Sequence, residues 1–217
     1  MKNLLSIACC SLAGLSLLVA GTARGQETGF YVRADAGPAL TDDVKVRDFL
    51  GTPNAGKLKF DTGVRFDIAG GYSMTKWLDA EFETGVIRNY IKDQHNSSLS
   101  SVPMMVNLTF KAPVTDRIVP FIGGGAGGVI SVLDADDLGG VVEGTDSTAV
   151  FGWQGFGGVR VFINDHFSVN LAYRYLESQS PSWDVRPDRF IGFNDTRKIQ
   201  LDHIRSHAIV LGADFHF

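Results

Sequence analysis

Apolar and polar residues alternate one by one along most of the chain after residue 28. In the segment 64–73, Val64, Phe66 and Ile68 alternate with Arg65 and Asp67. Successive side chains of a β-strand point to opposite faces, so each such stretch predicts a strand with one apolar and one charged face. Eight strands are predicted, at 30–36, 64–73, 77–86, 102–111, 117–132, 151–163, 167–175 and 208–217.

The two faces of these strands differ in charge. The apolar faces are almost free of charged residues, as in the set Phe167, Val169, Leu171 and Tyr173. The opposite faces carry nine charged residues, which we expect to form a paired ionic and hydrogen-bonded network: Arg33, Asp35, Arg65, Asp67, Glu81, Glu83, Arg160, Arg174 and Asp214. A face of this composition cannot be a hydrophobic core, which argues against a soluble ligand-binding barrel of the lipocalin type.

A strand with one apolar and one charged face is expected in a barrel that spans a membrane, where the apolar face contacts lipid. Bilayer hydrocarbon tolerates only structures whose backbone groups are all paired, namely helices and closed barrels. The uncharged stretch 118–133 contains Pro120 and five glycines, so it is a poor helix. A charge on the lipid face costs about 2 to 4 kcal/mol near the bilayer centre. We therefore predict an all-β fold, an eight-stranded antiparallel up-and-down transmembrane β-barrel whose lumen is filled by side chains.

The connections between the predicted strands alternate in length, which is typical of an outer-membrane barrel. The links at 73–76, 112–116 and 164–166 are short and rich in turn residues. The segments 39–61, 90–101, 134–148 and 178–202 are long and polar. We expect the long segments to be loops at the external rim, and both termini of the barrel to lie at the periplasmic rim.

Residues 1–25 are predicted to be a secretory signal peptide, and residues 26–217 the barrel domain. Lys2 precedes an apolar run, and small residues follow up to Gly25, so cleavage fits after either Ala23 or Gly25. Cys9 and Cys10 lie in this segment, so the exported chain is expected to have no disulfide, thiolate metal site or cysteine nucleophile.

Composition limits the partners. The sequence is 44% apolar and 20% charged with 25 glycines, which excludes a disordered chain and favours β structure. Removing Lys2 and Arg24 leaves 18 basic against 24 acidic residues, a formal charge of −6. Such a balance offers no surface for a nucleic-acid backbone. We expect a location in the outer membrane of a Gram-negative-type bacterium.

Two motifs in the sequence are typical of ligand sites. Gly123, Gly125 and Gly128 fit G-x-G-x-x-G, but a dinucleotide site requires a helix to follow, and here a strand is predicted. We interpret these glycines as allowing strand curvature or making room for large lumen side chains. The acidic segment 134–139 is similar to the start of a calcium loop, but it lacks ligands, and Thr145 stands where the closing Glu should be. We expect a solvated acidic loop, and no cofactor or metal.

The end of the last long segment offers candidates for catalysis. His203 and His207 are four residues apart, which on a strand separates them by about 13 Å, too far to share one metal. Ser206, His207 and Asp202 are the residue types of a hydrolase triad, but neighbours on one strand rarely converge. We interpret the histidines as polar rim residues and expect no catalytic site.

Aromatic residues near the strand ends are candidates for membrane anchors, because amphipathic rings prefer the headgroup level. They are Tyr72, Trp77, Tyr90, Trp153, Tyr173 and Tyr175. The last long segment combines aromatic and basic residues, which are suited to lipid phosphates or an external partner but are also found in ordinary ordered loops. These residues are Trp183, Arg186, Arg189, Phe190, Phe193, Arg197 and Lys198.

The chain ends in Leu-Gly-Ala-Asp-Phe-His-Phe, with Phe215 and Phe217 as its aromatic pair. This tail resembles the carboxy-terminal signature that the barrel-assembly machinery recognises. With Pro-Phe-Ile-Gly at 120–123 and Tyr-Arg-Tyr at 173–175, residues 29–217 resemble the OmpA/OmpX-like small outer-membrane β-barrel family. The resemblance implies fold and cellular address more than activity, and it implies outer-membrane lipid and lipopolysaccharide as surroundings.

The sequence thus predicts an integral outer-membrane barrel with a plugged polar lumen and a structural or surface-interaction role. Two alternatives remain open. A narrow porin-like channel for small solutes would conduct ions, with a conductance sensitive to Arg160 or Glu81. A lipid A-modifying hydrolase would change lipid A when the protein is expressed.

Overall fold

The computed structural model describes residues 28–92, 97–138, 142–185 and 197–217. The predicted signal peptide lies outside these ranges. Within the described residues, no helix is long and apolar enough to cross a membrane.

Eight antiparallel strands form a closed barrel, which confirms the predicted fold class. The barrel strands are β1 (Gly29–Thr41), β4 (Gly63–Thr75), β5 (Leu78–Tyr90), β6 (Ser98–Lys111), β7 (Ile118–Leu138), β8 (Val142–Phe162), β9 (Phe167–Ser178) and β12 (Ile204–His216). Each pairs with its neighbour in this order, and β1 pairs with β12 to close the barrel. Each of the eight barrel strands is therefore paired on both sides, as is required of a sheet in bilayer hydrocarbon.

The register of the barrel can be followed once around. Starting at Tyr31, successive paired residues lead back to β1 at Thr41, ten residues beyond the start. An offset of this kind requires the strands to tilt by roughly 35–45° from the barrel axis. Inward side chains from several strands therefore meet at each level of the lumen.

Alternation along the strands sends apolar residues outward and charged residues inward. Phe66, Leu108 and Leu211 are 49%, 48% and 66% exposed, whereas Arg65 and Arg174 are each 1% exposed. In water this arrangement would be inverted, because exposed apolar area is unfavourable and buried charge costly. It is the arrangement suited to a barrel surrounded by lipid.

The three short connections at one rim are tight turns. In the β8–β9 turn, the Asn164 side-chain oxygen accepts hydrogen bonds from the backbone N–H groups of His166 and Phe167, at 2.9 and 2.8 Å. In the β6–β7 turn, Thr115 Oγ1 accepts from the N–H of Ile118 at 3.0 Å. Such local side-chain acceptors are typical of turns that reverse an antiparallel pair.

The prediction of long polar loops at the opposite rim is wrong for two segments. β2 (Val44–Phe49), β3 (Thr52–Leu58), β10 (Ser182–Val185) and β11 (Arg197–Leu201) form a second sheet, in the order β10-β11-β2-β3. This external sheet lies within the segments 39–61 and 178–202. It forms because these segments also contain short alternating stretches, such as Val44 to Val46, with an apolar face to bury.

The apolar face of the external sheet packs on the upper ends of the barrel strands. Its buried residues and those of the barrel strands form one external cluster: Val44, Val46, Ile91, Leu99, Leu133, Trp183, Ile199, Leu201 and Ile204. Trp183, an exposed aromatic in the sequence interpretation, is 1% exposed, and its indole N–H donates to the Ser131 carbonyl at 3.0 Å. The external rim is therefore covered by an ordered sheet.

The segment 134–148 is also more regular than expected. β7 and β8 continue through it as a paired hairpin, with Asp134 opposite Thr145 and Ala135 opposite Gly144. The Thr145 hydroxyl donates to the Asp134 carboxylate at 3.1 Å. A paired hairpin corrects the expectation of an acidic loop over the described part of this segment.

Candidate functional site in the barrel lumen

Charged side chains from four strands meet in the half of the lumen nearer the short turns. β1 contributes Arg33 and Asp35, and β5 contributes Glu81 and Glu83, in both cases as alternate inward residues. The pairing of β4 between these strands sets their heights, because Arg33 and Glu83 both lie opposite Ala69. The small Ala69 side chain leaves space for the guanidinium and the carboxylate to meet above it.

Glu83 is the centre of this network. Its carboxylate lies 2.7 Å from the Arg174 guanidinium, 2.9 Å from that of Arg33 and 3.1 Å from that of Arg65. Gln154 also donates to it at 3.1 Å. All of these side chains are buried, so each charge depends on its partners in place of water.

The other carboxylates extend the network to both sides. Glu81 accepts from Arg33 at 2.8 Å and from the Tyr31 hydroxyl at 2.9 Å. Asp35 lies between Arg33, at 2.8 Å, and Arg174, at 3.0 Å. Charge-assisted contacts at these distances are among the stronger hydrogen bonds of proteins.

Asp67 occupies a less balanced position than the other carboxylates. Its one close cation is Arg65, at 2.6 Å. It also lies directly opposite Asp35 across the β1–β4 pair. Two like charges facing each other in this way are destabilising, so the guanidinium groups around them are needed to hold both.

A second group of charges lies closer to the periplasmic rim. Asp79 contacts the Lys111 ammonium at 2.5 Å and the Arg160 guanidinium at 3.4 Å. Arg160 also lies 3.4 Å from Asp214, whose carboxylate accepts from Ser168 and Asn170. The structure thus buries all nine residues assigned to the network from the sequence and connects each of them to another.

Several polar members were missing from the sequence assignment, among them Asp79, Lys111, Asn107 and Gln154. In β8, Gln154 follows the outward-facing Trp153. The alternation of outward and inward residues therefore places Gln154 inward, and this signal could have identified it from the sequence. With Asp79 and Lys111 included, the described lumen holds five cations and six carboxylates.

Glycines of β7 provide the space that this packing needs. A Cβ atom at Gly123 would collide with the Phe156 ring, and one at Gly125 would collide with the Asn107 side chain. By contrast, a Cβ at Gly128 would meet nothing within 4 Å. Two of the three glycines of the G-x-G-x-x-G pattern therefore make room for lumen side chains, in a strand that no helix follows.

A further part of the lumen is lined by apolar side chains. Its inward residues form a second buried cluster that includes Ile87, Met105, Val129, Leu176 and Val210. Ile87, Val129 and Leu176 form an apolar layer on the side of the external cluster, where Ile87 follows Glu83 and precedes Ile91 along the chain. Met105 lies directly opposite Glu83, at the level of the network. The expectation of a wholly polar lumen is therefore corrected: apolar side chains share the interior with the ionic network, and the rings of Phe121 and Phe156 lie under the guanidinium groups of Arg160 and Arg174.

The residues proposed for a hydrolase triad do not converge. The Ser206 side chain is buried inside the barrel, whereas His207 lies on the outer wall, where its imidazole contacts the Tyr173 hydroxyl at 2.6 Å. Asp202 pairs with Arg47 at 2.7 Å, outside the barrel. The N–H of His203 and the Arg47 guanidinium together hold the pKa of Asp202 below its usual range.

The anchor aromatics lie at both ends of the lipid-facing wall. Tyr72 contacts Phe30 with ring centroids 4.8 Å apart, near the short turns, where Trp77 is also exposed. Trp153 contacts Tyr175 at 5.2 Å, nearer the external rim. Tyr173, by contrast, lies near the middle of β9. The interpretation of these rings as membrane anchors stays a prediction.

The carboxy-terminal aromatic pair also faces outward. Phe215 and Phe217 are exposed, and their rings meet edge to face at 5.2 Å. Among the last-segment residues, Arg186, Arg189, Phe190 and Phe193 lie outside the described residues, as does the Arg197 side chain. Lys198 is exposed on the external sheet.

Comparisons with known proteins agree with this architecture. Neisserial surface protein A is 18% identical with a TM-score of 0.59, covering 88% of this chain and 100% of that one. OprG from Pseudomonas aeruginosa is 15% identical with a TM-score of 0.64, covering 90% and 100%. Outer membrane protein AlkL, solved in lipid bilayers, is 18% identical with a TM-score of 0.54, covering 92% and 93%. At these identities the likeness shows the fold.

A comparison with curated protein sequences finds no match. The family described as outer membrane protein beta-barrel domain matches residues 9–217. This match spans nearly the whole chain, and the closed eight-stranded barrel with its lipid-facing wall has the architecture that the family name describes. The chain therefore belongs to the outer membrane β-barrel domain family, as one of its small eight-stranded members.

Proposed function

We propose that this protein is exported by its signal peptide to the outer membrane of a Gram-negative-type bacterium and acts there without conducting solutes. Its role is structural or lies in interactions of its external surface. The observation that carries the proposal is the ionic network around Glu83, where three guanidinium groups share one buried carboxylate. Because these buried side chains hold one another, a permeating ion would have to break charged contacts in order to pass.

The apolar layer supports the same proposal. Ile87, Val129 and Leu176 are buried between the network and the external cluster. An ion crossing this layer would lose its hydration without gaining polar partners, which is how hydrophobic constrictions close channels. An ion moving along the barrel axis would thus meet two barriers, the ionic network and the apolar layer.

Planar-bilayer recording of the full-length purified protein tests this proposal. We expect no single-channel steps from the wild type, and none from Glu81→Gln or Arg160→Gln. Steps in the wild type whose size changes in these variants would establish the porin-like alternative. A heat-dependent shift between boiled and unboiled gel samples verifies that each preparation is folded.

A Gram-negative strain that expresses the protein tests the other parts of the proposal. Recovery of the protein in the outer-membrane fraction is expected, and recovery in the soluble periplasmic extract would refute it. Lipid A isolated after expression should be unchanged, since the hydrolase alternative requires its modification. Assembly is proposed to use the barrel-assembly machinery through Phe215 and Phe217, and no cofactor or nucleic acid takes part.

A further inference from the structure

A strip of exposed cations lies on the outer face where the external sheet meets the barrel wall. We call Lys45, Lys57, Lys59, Arg88 and Lys92 the basic strip, and all five side chains are exposed. It runs from β2 and β3 of the external sheet to the upper end of β5. Within the part of the chain that the structure describes, acidic residues lie close to the strip along the chain, with Asp43 two residues before Lys45 and Asp61 two residues after Lys59.

Four lysines of the strip form two pairs, and the two lysines of each pair lie opposite each other. Lys45 lies directly opposite Lys57 in the β2–β3 pair. Their neighbours Val44 and Leu58 pack into the external cluster, so the two lysines project from the opposite, outer face. Like charges directly opposite each other destabilise a sheet.

The second pair repeats this arrangement next to the first. The N–H of Lys92 donates to the carbonyl of Lys59 at 2.8 Å, and the adjacent Phe60 and Ile91 form a β-bridge. Ile91 is buried in the external cluster, so Lys59 and Lys92 also face outward. In the described ranges, none of the four lysines forms an ion pair with a carboxylate. The four lysines are therefore available to an anion from outside the described fold.

The height of the strip relative to the membrane follows from β5. Phe82, Val86 and Tyr90 are exposed in turn on its lipid-facing side. The Arg88 guanidinium lies over the Tyr90 ring, 5.5 Å from its centre. Tyrosine and snorkelling arginine mark the boundary between hydrocarbon and headgroups. Lys92 follows Tyr90 by two residues, which is at most about 7 Å further along an extended strand.

We propose that the basic strip binds the phosphate groups of lipopolysaccharide in the outer leaflet. This inference rests on the proposed residence in a Gram-negative-type outer membrane, whose external leaflet carries this phosphorylated glycolipid. Ammonium and guanidinium groups are the usual protein ligands of phosphate. The strip begins at Arg88 and Tyr90 on the lipid-facing wall, so a bound phosphate can remain attached to acyl chains packed on β5. That continuity favours a lipid over a soluble polyanion.

Native mass spectrometry of the full-length protein in detergent containing lipid A tests the site. The probes are bisphosphorylated lipid A and the same lipid after removal of both phosphates. We expect the wild type to bind the phosphorylated form preferentially. Lys57→Gln combined with Lys59→Gln should weaken this binding about 25-fold, or about fivefold for each lysine, as for basic residues at an anionic membrane surface.

Two control variants make the result specific. Lys57→Arg with Lys59→Arg keeps both charges and should bind lipid A as the wild type does. Lys76→Gln with Lys198→Gln removes two exposed charges elsewhere and should change the affinity less than twofold. All variants are exposed-surface changes, and the heat-dependent gel shift checks that each one is folded.

Three outcomes would overturn the inference. They are equal binding of the dephosphorylated lipid, undiminished binding by the Lys57→Gln, Lys59→Gln variant, and complete competition by a soluble sulfated polysaccharide. Any of them would leave the proposed outer-membrane function standing if the protein still fractionates with the outer membrane. Recovery of the protein in the periplasmic extract would instead refute the proposed function itself.

Discussion

At the scale of single residues, the lumen depends on partners that cannot be replaced by water. The Glu83 carboxylate contacts three guanidinium groups and offsets part of their positive charge. Each of those groups is almost completely buried. Removing one partner of a buried ion pair leaves an uncompensated charge in a low-dielectric interior. The surface pair of Arg205 and Glu177, 3.5 Å apart, is of the same residue types but stays in contact with solvent or headgroups.

Glu83→Gln is therefore expected to lower the free energy of unfolding by about 3 to 5 kcal/mol. Urea titration of the barrel in lipid vesicles, followed by the gel-mobility shift, measures this change. Glu177→Gln is the matched control: its pair with the half-exposed Arg205 is expected to contribute about 1 kcal/mol or less, and a glutamine can still accept a hydrogen bond from the Tyr175 hydroxyl. Equal effects of the two substitutions would contradict the network's role in stability.

Gly125 and Gly128 offer a second matched pair. In Gly125→Ala, the new Cβ would meet the Asn107 side chain and the Val106 carbonyl, so strands β6 and β7 must shift. We expect a loss of about 1 to 3 kcal/mol, as for overpacked interiors. Gly128→Ala adds its Cβ to open space and should be neutral or slightly stabilising. The same urea titration separates the two, and a destabilised Gly128→Ala with an unchanged Gly125→Ala would refute this account.

At the scale of elements, the alternation of β1 and β4 to β9 was readable because the two faces of each strand meet opposite environments. The pairing of side chains was not readable, since Arg174 of β9 meets Glu83 of β5 only when the barrel closes. The external sheet was missed for another reason. β10 and β11 have four and five residues, and β3 contains Pro53 and Gly56, so periodicity has little length in which to appear.

The external sheet should depend on Trp183, which joins it to the barrel. Trp183→Ala removes a fully buried indole and its hydrogen bond to the Ser131 carbonyl. Large-to-small changes of this kind cost about 3 to 5 kcal/mol. We expect protease added outside proteoliposomes to cut within β2, β3 or β10 in this variant, while the barrel keeps its gel shift. Lys198→Ala, an exposed change on the same sheet, should stay resistant.

The external sheet should also loosen in acid. The N–H of His203 and the Arg47 guanidinium lower the pKa of Asp202, so the folded form prefers the charged carboxylate. The resulting stabilisation is complete above the ordinary pKa of aspartate, near 4, and is lost as pH falls through the lower folded value. Protease sensitivity of the sheet should therefore rise in that acidic range, and less steeply in Asp202→Asn. Identical profiles of both proteins would contradict the assignment.

At the scale of the whole molecule, the barrel encloses two different barriers in series. We expect the ionic network to block the lumen near the short turns through charge pairing, and the apolar layer of Ile87, Val129 and Leu176 to block it nearer the external cluster by excluding water. Because the two barriers act by different physics, weakening one leaves the other intact. Arg160→Ala should thus stay silent in planar bilayers, although it leaves Asp79 and Asp214 with fewer cations.

Conductance is expected only when the apolar layer is opened as well. Ile87→Gly with Val129→Gly removes two buried side chains from the level between the network and the external cluster, so water can enter. Added to Arg160→Ala, this change should produce brief single-channel steps, whereas each set alone should not. Steps from Arg160→Ala alone would show that the apolar layer is no barrier. The resistance of the molecule to permeation would then rest on its ion pairs.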